Sequence, residues 1–99
     1  MITKDKIKEV AFKNRVDLFG VASVDRFENA PKGFHPKDIY SKTETVIAFA
    51  IKLPTETLYA DNPVPFTHIN TLAMQKMDLI TYDISTDLDK LGLKNILIP

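Results

Sequence analysis

The chain has 99 residues, 44% hydrophobic and 26% charged, and its 13 basic and 13 acidic side chains cancel. That length permits one domain, and a compact one buries about two-thirds of its unfolded surface. Neutrality excludes a global field drawing the chain to nucleic acid or an anionic membrane, and the lack of cysteine excludes disulfides, thiolate catalysis and iron–sulfur ligation by these residues.

Met1-Ile-Thr-Lys-Asp-Lys6 lacks the apolar core of a signal peptide. No apolar run approaches the roughly 18 residues needed to cross a bilayer. A cytoplasmic protein is the expectation. The first element is a helix from Thr3 to about Arg15. Thr3 caps it, Asp5 favours the positive end of its dipole, and Ile7, Val10 and Ala11 form one apolar stripe. Phe12 lies off that stripe, which suggests packing on a second side. Asp17–Val24 follows as a strand whose near-continuous apolarity points to burial on both faces. Gly20 inside it would permit a bulge or the close approach of another backbone.

Residues 25–44 read as a long loop punctuated by Pro31, Gly33 and Pro36, with a helical turn from Pro36 to Tyr40. A connection this long with little regular structure tends to be functional. Glu44–Leu53 is a second strand, apolar enough to lie centrally in a sheet, and Pro54 stops it. After a loop over Thr55–Pro65 comes a long helix from about Phe66 to Leu91. Its stripe runs through Ile69, Leu72, Ala73, Met77, Ile80, Ile84, Leu88 and Leu91, and Gly92 suits the position just past its end. Lys94–Ile98 reads as a third strand, joined to the second by a connection long enough for a right-handed parallel crossover. The expected fold is α/β, with α+β as the variant: a small three-stranded sheet with two main helices. So thin a core, and a chain stopping on the apolar run Asn95–Pro99, lead us to expect one part of a longer protein.

The candidate sites are few. His35 and His68 lack the further ligands and spacing of a metal centre, and no metal site is assigned. His35, between Phe34 and Pro36, suits a loop residue bonded to backbone. Thr67, His68 and Asn70 lie at the expected start of the long helix, where free N–H groups suit phosphate, although plain capping by Thr67 explains the same residues. Asp83, Asp87 and Asp89 suit a solvated face, and Met74 and Met77 suit core filling. No catalytic residue is assigned.

Two stretches carry a resemblance: Gly20-Val-Ala-Ser-Val-Asp-Arg-Phe-Glu-Asn-Ala-Pro-Lys-Gly-Phe-His-Pro-Lys-Asp-Ile39, and the strand Thr45-Val-Ile-Ala-Phe49. With Leu91-Gly92 and Ile96-Leu-Ile-Pro99 behind them, they resemble the N-terminal region of epoxyqueuosine reductase-like iron–sulfur proteins. The resemblance spans nearly all 99 residues and is most specific over Phe27–Ile39. It implies a nitroreductase-like α/β region that binds cobalamin, with this chain as its N-terminal part. It places the catalytic acid and a ferredoxin-like module for two [4Fe–4S] clusters further along the parent protein. The fragment would then be inactive alone, and its main partner would be the remainder of the parent chain.

On this resemblance Thr67, His68 and Asn70 contact polar groups of the cofactor, while Pro31, Gly33 and His35 shape the loop over it. The family's basic, tyrosine-containing stretch at the start of the long helix is replaced here by Pro65-Phe-Thr-His-Ile-Asn70. That departure points away from queuosine toward a related reductase of unassigned substrate; nucleic acid is not expected to bind this fragment, while tRNA stays open as a partner of the parent. Two rivals remain open. One is a self-contained, non-catalytic module that dimerises through a strand edge, with Phe12, Met74 and Tyr82 at the interface. The other is the flavin-binding half of a nitroreductase-like dimer.

Overall fold

A computed structural model describes residues 3–98. The order is α1 (Lys4–Lys13), β1 (Leu18–Ser23), a tight helical turn (Val24–Phe27), α2 (Pro36–Ile39), β2 (Thr45–Ala50), a second tight turn (Thr55–Tyr59) and α3 (Val64–Lys90). The fold is α+β.

Local chemistry accounts for the helix ends. Thr3 Oγ1 accepts the Lys6 N–H at 3.3 Å and starts α1. Arg15, at φ +70°, turns the chain out of α1 in a left-handed conformation that side-chain-bearing residues seldom adopt. At the far end of α3, the Leu93 N–H bonds the Leu88 carbonyl at 3.1 Å and the Gly92 N–H bonds that of Asp89 at 2.9 Å. With Gly92 at φ +85°, this pair of bonds is a Schellman stop. Leu93 then packs on the core beside the helix it terminates.

β1 and β2 pair antiparallel, with Leu18 opposite Ala50, Phe19 opposite Phe49, Gly20 opposite Ala48, Val21 opposite Ile47 and Ala22 opposite Val46. The ladder is continued at one end by the Asp17 N–H bonding the Ala50 carbonyl at 2.9 Å, and Asp17 Oδ2 accepts the Lys52 N–H at 2.6 Å. The register is regular through Gly20, so that glycine serves no bulge. An alanine methyl there would meet nothing within 4 Å.

Several expectations are corrected. Among the described residues the sheet has two strands, not three. The strand expected over Lys94–Ile98 does not form, because Asn95 ties the tail to α3 instead. Its amide bonds the Ser85 carbonyl at 3.2 Å and the Leu93 carbonyl at 3.0 Å, and the Ser85 hydroxyl donates back to its Oδ1. The parallel crossover falls with that strand. β2 is consequently an edge, not a central strand.

The core joins α1 to the second half of α3: Val10, Ala11, Val16, Ile80, Ile84 and Leu88 are buried together. Phe19, Ile47 and Phe49 pack on it from one face of the sheet. Phe12 meets Phe19 with ring centroids 6.5 Å apart but stays half exposed under the Lys8 ammonium. Alternation along the strands turns Leu18, Gly20, Ala22, Val46, Ala48 and Ala50 to the other face. Leu18 is 69% exposed there, so the expected burial on both faces is not met. Met74, expected in the core, is also exposed.

The shape follows from this one-sided packing. The radius of gyration is 15.8 Å, against about 13 Å for a compact domain of this length. The accessible surface is 7847 Å², whereas a compact monomer of this mass exposes about 5,700 Å². The chain therefore buries only about half of its unfolded surface, not two-thirds.

Candidate functional site

The motif that stands out in the sequence folds into a turn held by its own side chains. Asp38 Oδ2 accepts two backbone N–H groups, from Gly33 at 3.0 Å and from His35 at 3.1 Å. His35 Nδ1 accepts the Lys37 N–H at 3.0 Å, so His35 and Asp38 cap α2 reciprocally. Pro36 occupies the first helical position, where its missing N–H costs nothing. Gly33 sits at φ +89°, which only glycine adopts without strain. Pro31 accepts the Phe34 N–H at 2.9 Å.

His35, Gly33 and Pro31 are thus explained by the turn itself. His35 is bonded to backbone, as its loop position suggests. Phe34 and Ile39 have no such local role. They are 75% and 57% exposed, two apolar side chains held out on a pinned turn. Sequence reading missed Phe34, although an aromatic residue inside a run of turn-formers was the available signal.

The second group lies on α3. The helix starts at Val64, earlier than expected, and Pro65 is tolerated in its first turn. Thr67 does not cap it. Asn62 Oδ1 accepts the Val64 N–H at 3.0 Å, and the Thr67 N–H is already bonded to the Pro63 carbonyl at 2.9 Å. Since Pro65 has no N–H, the first turn retains only that of Phe66 as a free donor. A phosphate site built on this helix end therefore has little to offer.

Thr67 and His68 share an open depression with Pro63, Val64 and Thr71. Asn70 is not among its lining residues, and its amide lies 3.9 Å from Met74 Sδ. His35 lines a different depression, with Val24, Asp25, Glu28 and Lys37. The structure thus does not gather the sequence-derived candidates into one cavity. Of the late acidic residues, Asp87 accepts a hydrogen bond from the Asn14 amide at 3.1 Å, linking α1 to α3.

Among the described residues, no group of three or more His, Asp or Glu side chains is placed to hold a metal ion. No helix of the described residues is long and apolar enough to cross a membrane. The chain matches no family model, no curated protein and no solved structure.

Proposed function

We propose that this chain is the N-terminal part of a cytoplasmic iron–sulfur oxidoreductase of the epoxyqueuosine reductase-like type. It would contribute one wall of a cobalamin pocket and be inactive alone. The observation that carries this reading is the second face of the sheet, on which Leu18, Gly20, Ala48 and Ala50 are exposed and Ala22 and Val46 are only partly covered. Leu18, Gly20, Ala22, Val46, Ala48 and Ala50 bear no polar group, and a strand pair alone is marginal in water. A further layer, from the remainder of the parent chain, suits that face. The pinned turn of Phe27–Ile39 supports the same reading, since it is the most specific part of the sequence resemblance.

Neither depression encloses a ring as wide as a corrin, so this chain offers a wall and not a whole site. Thr67 and His68 lie on one such wall. Without cysteine, the clusters would be held elsewhere in the parent. The test is to express the whole reading frame containing this chain and record its visible spectrum. Cluster absorbance together with bound corrinoid is the expected result. A reading frame with no cysteine-rich continuation overturns the reading.

A second reading has its own support in the exposed apolar residues of α3: a self-contained module that dimerises and has no redox role.

A further inference from the structure

Histidine is not among the residues preferred as a helix cap; asparagine, aspartate, serine and threonine are. The amide of asparagine or the hydroxyl of serine accepts a hydrogen bond at every pH. An imidazole nitrogen accepts one only while the ring is neutral. His35 Nδ1 accepts the Lys37 N–H at 3.0 Å, which places the proton of the neutral ring on Nε2. A second proton has to go on Nδ1, where it meets the Lys37 N–H head on. The cap and the charged ring therefore exclude each other.

The charged ring has somewhere else to go. His35 is half-buried and lines an open depression with Val24, Asp25, Glu28 and Lys37. Asp25 belongs to the tight turn Val24–Phe27 and Glu28 follows it. Their two carboxylates can receive a cation, and Arg26 between them in sequence does not line the depression. On the ring's own element, the Lys37 ammonium repels a further positive charge. The Asp38 carboxylate is already taken by the Gly33 and His35 amides, at 3.0 and 3.1 Å.

We propose that the turn Phe27–Ile39 carries a pH-operated catch. Neutral His35 fastens the Lys37 N–H and completes the reciprocal cap of α2. Protonated His35 lets go and turns toward Asp25 and Glu28, leaving the turn held by Asp38 alone. The bond belongs to the neutral ring, so the catch is closed near about pH 8 and opens toward about pH 5. Phe34 and Ile39, 75% and 57% exposed, flank the His35–Lys37 bond in sequence. Their fixed presentation is what the catch controls. It involves this turn only and stands whether or not the parent protein is a reductase.

The test is nuclear magnetic resonance of the isotope-labelled 99-residue chain, titrated from about pH 8 to about pH 5. At the high end the ring should be the Nε2–H tautomer, and a scalar coupling should cross the hydrogen bond from the Lys37 amide nitrogen to Nδ1. At the low end that coupling should vanish. The protection of the Lys37 N–H against exchange should fall roughly fivefold, the worth of one cap, in step with the ring's own titration. The Gly33 and His35 amides, held by Asp38, should keep their protection. His35→Asn, whose amide caps without titrating, should keep Lys37 protected across the range. Asp25→Asn combined with Glu28→Gln should weaken the ring's proton affinity roughly threefold. A coupling that survives in the charged ring, an Nδ1–H tautomer at high pH, or Lys37 protection that ignores the ring would each overturn the proposal. So would the same loss of protection in His35→Asn, or a proton affinity unmoved by the carboxylate variant.

Discussion

Leucine to alanine at two places on α3 puts the one-sided packing to a direct test. Leu88 is 3% exposed and sits among Val10, Ala11, Val16, Ile80 and Ile84. Leu79 is 69% exposed, two and a half turns earlier on the same helix. The helix propensity change is the same in both variants, so it cancels in the comparison. At Leu88 the truncation removes buried apolar surface and leaves a void, a loss of about 3 kcal/mol with a usual range of 2–5. At Leu79 little surface is uncovered, and the loss should stay under about 0.5 kcal/mol. A domain of this size has a total stability of roughly 5–15 kcal/mol, so the Leu88 variant forfeits a large part of it.

The assay is urea unfolding followed by far-UV circular dichroism, at a concentration where the chain is monomeric. With a slope of about 1–1.5 kcal/mol/M, Leu88→Ala should lower the midpoint by about 2–3 M. Leu79→Ala should lower it by less than about 0.5 M. Equal shifts, or a larger one at Leu79, would refute the assignment of inner and outer faces of α3.

Other outcomes follow from the turns and the tail. Gly33→Ala should cost about 1 kcal/mol in thermal unfolding, because φ +89° strains any residue with a Cβ even though the space around it is open. Gly20→Ala should be neutral or stabilising by up to about 0.5 kcal/mol in this chain, since the added methyl meets nothing within 4 Å. Asp38→Ala removes the acceptor of the Gly33 and His35 amides. Hydrogen exchange at those two N–H groups should accelerate, with a global loss of about 1 kcal/mol or less, because the site is exposed. Asn95→Ala frees the tail from Ser85, and limited proteolysis after residue 93 should quicken while the Leu88 and Gly92 amides keep their protection.

Whatever rests on neighbours a few residues apart was legible in the chain itself. Thr3 as a cap, the Ile7–Val10–Ala11 stripe, the helical turn opened by Pro36, and Gly92 as the stop of α3 all depend on bonds spanning at most five residues. The two strands were recognisable from their composition. Their company was not, because a strand's bonds go to a distant partner that composition does not name. The apolar run after Gly92 has strand chemistry, yet the Asn95 side chain binds it to Ser85 on α3, leaving the sheet at two strands. The same limit applied to the candidate site. The roles of Gly33, His35 and Asp38 are local and could be approached from the motif, and Met74 and Tyr82 could be placed off the main stripe of α3, whereas the exposure of Phe34 and Leu79 emerged only when packing had used the first face. Periodicity says which residues share a side of a helix. Only the three-dimensional arrangement decides which of two apolar sides is covered, because burial is a property of the surface that arrives and not of the residue that waits for it.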